Sequence, residues 1–416
     1  MRYLWRIAAC LPSLLSGAVL AAPVVIPQTA AATLAFDRHS EPLWFIGQLM
    51  PSLTALLVLS VGAGFRLRSM CGRIAGGRRF WTVTLFACSY LVLAALITLP
   101  FDYYKDVIDL RAWNRLGQTP GQWLAGEAAG LAIKLIIAAL SIWIPYALIA
   151  KHPRSWWLLT ASALVPVAFL AIVVTPVWVT PLTTHIVPLN DQTLLTKIET
   201  LEARCGVPHI PVFVGGGEDT VVGLGPTNRI VLSQEIFKNE TPDQIEFTVG
   251  HEMKHYIEGD NWKALAIVTV LLFSGLFLVD RIGRFAIARY AARLGFDDLA
   301  DPASFPLVIL ILCLFWMTVA PLFNLYARHI EHEADRFALE LTHQNQAMGE
   351  MFASFSNRWE QEVEWDGFQA IFYANHPSNG ERIRFANTYH PWEDGAPLVY
   401  GAVCRPMVTA GRNWEK

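Results

Sequence analysis

Residues 241–255 read Thr-Pro-Asp-Gln-Ile-Glu-Phe-Thr-Val-Gly-His-Glu-Met-Lys-His. His251 and His255 stand four apart, so on a helix their rings stack on one face. Two imidazoles so placed can bind one Zn²⁺ through nitrogens about 2.0–2.1 Å from the ion. Glu252, next in the chain, can then reach a water at the ion as general base for hydrolysis. Composition alone yields a chance H-E-x-x-H in about one such chain per hundred, so a second feature is required.

That feature is Arg328-His329-Ile330-Glu331-His332-Glu333-Ala334-Asp335-Arg336-Phe337. A catalytic zinc takes three protein ligands plus water, and two histidines with one glutamate are a standing set. Glu331 and Asp335 share one helical face, where one carboxylate can meet the metal and the other the free N–H of a ligand histidine. Glu333 points about 200° away from Glu331 and fits less well. His332 is the rival third ligand, because imidazole also suits zinc. A solvated helix end accounts for Arg328 and Arg336. It does not account for acids and histidine clustering where the chain returns to the side that holds His251.

A third segment reads His376-Pro377-Ser378-Asn379-Gly380-Glu381-Arg382-Ile383. Ser378 with Glu381 forms a capping box, so part of it starts a helix. Arg382 on that helix can pair with a site carboxylate, Asp335 being one candidate. His376, just before the turn, can donate to the oxyanion of a tetrahedral intermediate, although a histidine in a Pro turn is equally a structural feature.

Gly-His-Glu-x-x-His, the two apolar runs after it, Glu331-x-x-Ala334-Asp335 and this His-Pro…Arg segment resemble the type I CaaX prenyl protease family of membrane zinc metalloproteases. The likeness covers about residues 190–390, and the earlier apolar runs in arrangement only. It implies one zinc per chain held by His251, His255 and Glu331, with Glu252 as base and Asp335 in support. It also implies a helical membrane chamber roofed by the peptidase domain. Upstream, residues 211–214 and 228–232 read as short strands around a Gly-rich loop at 215–225. An edge strand there can grip an extended substrate through main-chain bonds, with Val221, Val222 and Gly223 as the substrate-binding positions. Relatives carry an Asn-Ala pair hereabouts where this chain reads Asp219-Thr220-Val221-Val222-Gly223.

The rest of the chain must carry these residues to one place. Of 416 residues, 54% are hydrophobic and 16% charged, against roughly 25% charged in a soluble domain. The net charge of −3 argues against a nucleic-acid partner, which requires a basic face. Six cysteines without a CxxC make neither a disulfide scaffold nor a Cys-type zinc site. Residues 1–22, with Arg2 and Arg6 before an apolar core and Ala21-Ala22 at its end, read as a signal peptide or a first span. Residues 23–42 follow as an external segment. Six further runs approach the ~20 apolar residues of a span, at 43–65, 82–101, 124–150, 156–182, 264–279 and 305–327, the first four within 43–182.

Arg66, Arg68, Arg73, Arg78 and Arg79, then Lys151 and Arg154, then Arg281, Arg284, Arg289 and Arg293 place alternate loops in the cytoplasm. The polar segments 183–263 and 328–416, the two parts of the peptidase domain, then share the far side. The region 264–327 between them carries two spans and a cytoplasmic loop. With a bacterial-style signal the expected location is the inner membrane, catalytic side to the periplasm. Cys205 and Cys404 both fall there, where oxidising conditions permit a bond between them. The stretch 345–373 shows helical spacing of Met, Phe and Trp, read as packing against the peptidase domain.

The expected fold is mostly α, a polytopic helical membrane protein with a small α+β zinc-peptidase domain. The expected activity is endoproteolysis by zinc-activated water. The substrate is a peptide or membrane protein, lipidated or not, and a quality-control protease for misfolded envelope proteins is the alternative. From other classes come a non-catalytic zinc-containing scaffold, which has no use for Glu252, and a transporter. The transporter reading rests on Glu127 and Lys134 within a span and lacks repeated spans.

Overall fold

The computed structural model describes residues 22–358 and 362–405. The signal-peptide expectation for residues 1–22 therefore falls almost wholly outside the described residues. Among the described residues, six helices are long and apolar enough to cross a membrane: Ala31–Ser60, Arg79–Ala112, Pro120–Lys151, Trp156–Leu182, Asp260–Leu294 and Pro302–Thr342. Five of the six apolar runs lie wholly within one of these helices; the first, 43–65, outlasts Ala31–Ser60 and enters the next helix, Ala63–Ile74. The chain is mostly helical with one small sheet.

Helix boundaries run beyond the apolar stretches. The first helix starts at Ala31, with Asp37, Arg38, His39 and Glu41 in its opening turns. Those turns lie beside the peptidase part, where Trp44 and Phe45 pack edge-on to Phe368. Hydropathy marks only the portion suited to lipid, whereas the helix continues as long as its backbone bonds do. The fourth helix passes through a π-turn at Thr175–Val179, where Pro176 cannot donate to the regular ladder. Most consequential is Phe305–Thr342, a single helix of 38 residues. At 1.5 Å per residue it is about 57 Å long, nearly twice a bilayer core of roughly 30 Å. Its second half therefore projects well past the apolar run and carries Glu331 and Asp335 with it.

The peptidase part is built around a four-stranded sheet of order β1-β2-β4-β3, with β1 Val187–Pro188, β2 Val212–Val214, β3 Thr220–Val222 and β4 Arg229–Leu232. β2 and β4 were legible as strands. The Gly-rich segment between them is not simply a loop, because it contains β3, antiparallel to β4 with Val221 opposite Ile230. Gly223 ends that strand at φ +89°, and a Cβ there would meet the Thr227 carbonyl oxygen at 2.3 Å. Only glycine fits this turn.

Thr241 caps the helix Pro242–Glu258 through a capping box: Gln244 N–H donates to Thr241 Oγ1, and the Gln244 side chain accepts from Thr241 N–H. That helix crosses Phe305–Thr342 closely at Gly250, where a Cβ would stand 3.2 Å from Thr342 Cγ2 and 3.4 Å from Ala338. Ala334 and Ala338 are fully buried there. Small residues on both helices thus let the histidine helix and the acid helix approach. Ile198, Ile210, Ile230, Leu232, Val249, Met253 and Phe337 form the core around the sheet. Met348, Met351 and Phe352, from the predicted Met/Phe stretch, pack with Phe247, Leu339 and Ile383 on the other flank.

Cys205 and Cys404 are disulfide-bonded, tying the helix Gln192–Cys205 to the C-terminal segment. At the other end of the described chain, Val24 exchanges two 2.9 Å bonds with the Asn387 side chain, which puts residues 22–30 on the peptidase part.

Candidate active site

His251 and His255 project from the second half of Pro242–Glu258, His255 in its last turn, each with Nε2 turned toward Glu331. The two Nε2 atoms are 3.3 Å apart, and Glu331 oxygens lie 3.1 Å from the first and 3.7 Å from the second. Tetrahedral ligands with bonds of about 2.0–2.1 Å sit about 3.3 Å from one another, so this donor set fits a small ion such as zinc. Among the described residues these three form the one such group of His, Cys, Asp or Glu.

The rivals on the acid helix are turned elsewhere. His332 packs at a tilt against Phe385 with ring centres 4.4 Å apart, and Glu333 bonds Arg336 and the Tyr400 hydroxyl. Asp335 lies behind His251, its Oδ1 3.0 Å from Nδ1, and is fully buried. Arg382 closes on the same carboxylate with Nε 2.7 Å from Oδ2 and Nη2 against Oδ1. It arrives on the helix Asn379–Thr388, which Ser378 and Glu381 cap as expected. Its guanidinium also lies 3.8 Å from the Phe352 ring centre.

Asp260 completes the arrangement, and sequence reasoning missed it. Its Oδ2 is 2.7 Å from His255 Nδ1 and 2.8 Å from Nζ of Lys254, whose side chain is fully buried. The signal was present in Glu258-Gly259-Asp260. Gly259 ends the helix in the left-handed region at φ +64°, so the chain doubles back and the next residue faces the last turn.

Glu252 is buried and lines two cavities that meet at the metal group. One, about 340 Å³, runs toward the spans past Ile267, Phe323 and Tyr326. The other, about 570 Å³, opens past Phe352, Phe355 and Trp365. Burial pushes the Glu252 carboxyl above the usual range, against the pull of His251 and His255. Asp219, beside it in both cavities, is raised by burial too, against the Ser233 N–H that donates to it at 2.7 Å.

His376 reaches the site, with Nε2 3.3 Å from Glu331 Oε2 and its backbone oxygen held by Trp365 Nε1. Its side chain is 52% exposed, so a substrate can meet it. Of the three substrate-strand candidates, only Val221 lines the cavity that holds the metal group; Val222 and Gly223 line a neighbouring apolar cavity beside the fourth helix. Val221 lies between the two cavities and lines both.

Residues 188–390 match the model of peptidase family M48, and residues 15–185 match the model described as CAAX prenyl protease N-terminal, five membrane helices. An uncharacterized metalloprotease of Bacillus subtilis is 26% identical over 378 residues, covering 89% of this chain and 87% of that one. CAAX prenyl protease 1 of Saccharomyces cerevisiae is 25% identical over 322 residues, 70% of this chain and 69% of that one. The crystal structure of S. mikatae Ste24p superposes with a TM-score of 0.70 at 20% identity, over 88% of this chain and 92% of that one, which shows a shared fold. Two adjoining models thus span both the membrane helices and the metal-site region, and this chain belongs to the CaaX prenyl protease family of M48 membrane metallopeptidases.

Proposed function

We propose that this membrane metalloendopeptidase is a zinc enzyme in which His251, His255 and Glu331 hold the ion and Glu252 is the general base. The observation that carries the reading is the convergence of three donor atoms with tetrahedral spacing on a point where Glu252 also opens into the cavities. When bound, zinc supplies Lewis acidity and a water acidic enough to be deprotonated near neutral pH. Glu252 accepts the attacking water's proton on its carboxylate and passes it to the departing amine nitrogen. Asp335, held by Arg382, keeps His251 in the tautomer that leaves Nε2 free for a metal. His376 Nε2 is placed to donate toward the oxyanion. Val221 on β3 offers main-chain groups to an extended substrate.

The substrate reading is a peptide delivered from the membrane, lipidated or part of a membrane protein. It is supported by the cavity that joins the site to the spans. A second reading, clearance of misfolded membrane or envelope proteins, is favoured by docking through main chain alone, which demands no particular sequence. The periplasmic face of a bacterial inner membrane is supported by the Lys/Arg bias of the opposite loops and by the disulfide.

The test uses detergent-purified protein, a peptide library and a farnesylated peptide, with and without chelator. Cleavage that chelator abolishes and zinc restores is expected. Glu252→Gln should keep stoichiometric zinc yet lose cleavage by roughly 10²–10⁴-fold. Full activity in that variant removes the assigned base, and preference between the farnesylated and plain peptides separates the two substrate readings.

A further inference from the structure

Two neighbouring residues, Asp260 and Asn261, open the helix Asp260–Leu294. Asp260 holds the His255 ring, as described. Asn261 Nδ2 donates to two carbonyl oxygens at once, Val221 O at 3.2 Å and Gly223 O at 2.9 Å. β3 is the edge of the sheet among the described residues, with β4 on its other side. The Val221 carbonyl, directed at Asn261, therefore points away from β4. A strand residue turns its N–H and C=O to the same side, so the Val221 N–H faces the free edge as well. Val221 and Asn261 both line the cavity that holds the metal group.

We propose that Asn261 is a positioning residue that sets the register of an extended peptide on β3 against the metal centre. This rests on the endopeptidase reading with β3 as the docking edge. A peptide pairing there uses the Val221 N–H and the second lone pair of the carbonyl that Asn261 already engages. Which bond is cut depends on where that residue pair stands relative to the ligand imidazoles. A slip of one residue moves the peptide by about 3.3 Å, far beyond the roughly 0.5 Å that a reacting geometry tolerates.

β3 has only three residues and ends on a glycine in the left-handed region, so its own ladder holds its edge weakly. Asn261 supplies the missing fastening, and it does so from the same helical turn whose Asp260 fixes His255. Two adjacent side chains on one rigid helix thus join the docking strand to a ligand ring. An amide suits the task, because one nitrogen offers two N–H donors to two carbonyls. A carboxylate offers none.

The experiment compares full-length wild type with Asn261→Ala and Asn261→Asp, all zinc-loaded, on one peptide that the wild type cleaves at a single bond. Products are mapped by mass spectrometry and KM and kcat are measured separately. Affinity for the uncut peptide is read by fluorescence anisotropy in the Glu252→Gln background with and without Asn261→Ala. Hydrogen exchange over residues 220–223 is followed in metal-free protein. The expected result is cleavage spread over neighbouring bonds in Asn261→Ala, KM and peptide Kd raised by about tenfold, faster exchange, and unchanged zinc content. Asn261→Asp should be worse on each count, since a carboxylate would face two carbonyls. Should Asn261→Ala not fold, Asn261→Ser keeps one donor and carries the same readings. A single wild-type scissile bond with unchanged KM in the variants overturns the inference, whatever the exchange rate does. A wild type that cuts nothing overturns the endopeptidase reading, and this inference with it.

Discussion

His255 and Asp260 face each other across 2.7 Å, Nδ1 to Oδ2, five positions apart around the end of one helix. With Nε2 turned to the ligand group, Nδ1 is the nitrogen that carries the proton and donates it to the carboxylate. The pair repeats, from unrelated parts of the chain, what Asp335 does for His251 across 3.0 Å. Behind each carboxylate stands a cation, Lys254 for Asp260 and Arg382 for Asp335. Removing Asp260 should therefore matter as much as removing Asp335. Asp260→Ala is expected to weaken zinc by about 10–100-fold in a chelator competition, with the fold retained. Wild-type affinity in that variant would reduce Asp260 to a charge partner of Lys254.

The Arg382–Asp335 pair bears on stability as well as on metal. Asp335 is fully buried, so truncating Arg382 leaves a carboxylate shut off from water with only the His251 ring beside it. Arg382→Met is expected to cost about 3–5 kcal/mol, as breaking buried pairs does. Arg382→Lys should recover only part of this, because a lysine lacks the planar fork that spans both oxygens. Thermal unfolding of the metal-free proteins checks both, and equal stability of Lys and Arg would contradict the forked geometry.

Gly250 controls how closely the histidine and acid helices approach. A branched side chain there meets Thr342 and Ala338, which have nowhere to retreat in a filled core. Gly250→Val is expected to cost about 1–3 kcal/mol and to lower zinc affinity, because separating the helices draws Glu331 away from His251. Normal zinc binding at reduced stability would show that the site tolerates the shift.

His343 predicts a pH dependence distant from the metal. It caps the long sixth helix at φ +57° and stacks on Trp392, ring centres 4.1 Å apart. Burial, with the nearby Arg204 charge, holds its pKa down to about 4, against 6.5 when free. Between pH 6.5 and 4 the unfolded chain binds a proton here that the folded chain does not. Stability should therefore fall as pH is lowered through that window, with no slope from this group above it. His343→Asn, which accepts the left-handed backbone, should unfold with a shallower pH dependence between 6.5 and 4. Parallel melting curves for the two proteins would dismiss the effect.

The residues proposed for the site were legible because their signals are local. His251, Glu252 and His255 are neighbours on one helix with its capping box written beside it, and Glu331 with Asp335 repeats the same four-residue spacing. The membrane character was legible because a run of some twenty apolar residues has few other uses, and each of the six runs falls mainly on one of the six long helices. Even the choice of Glu331 over Glu333 followed from the helical period alone.

What the tertiary structure decided is everything that depends on two distant segments arriving at one point. No periodicity says that the helix from Phe305 outlasts the bilayer and brings Glu331 to the imidazoles while His332 turns to Phe385. None says that the chain reverses at Gly259 so that Asp260 meets His255, or that a third strand lies inside the glycine-rich segment and leaves only Val221, of the three positions expected there, in the cavity of the metal group. Spacing along the chain records which side chains share a face. Which faces meet is set by packing, here by Gly250, Ala334 and Ala338 allowing two helices to close on each other, and packing has no one-dimensional signature.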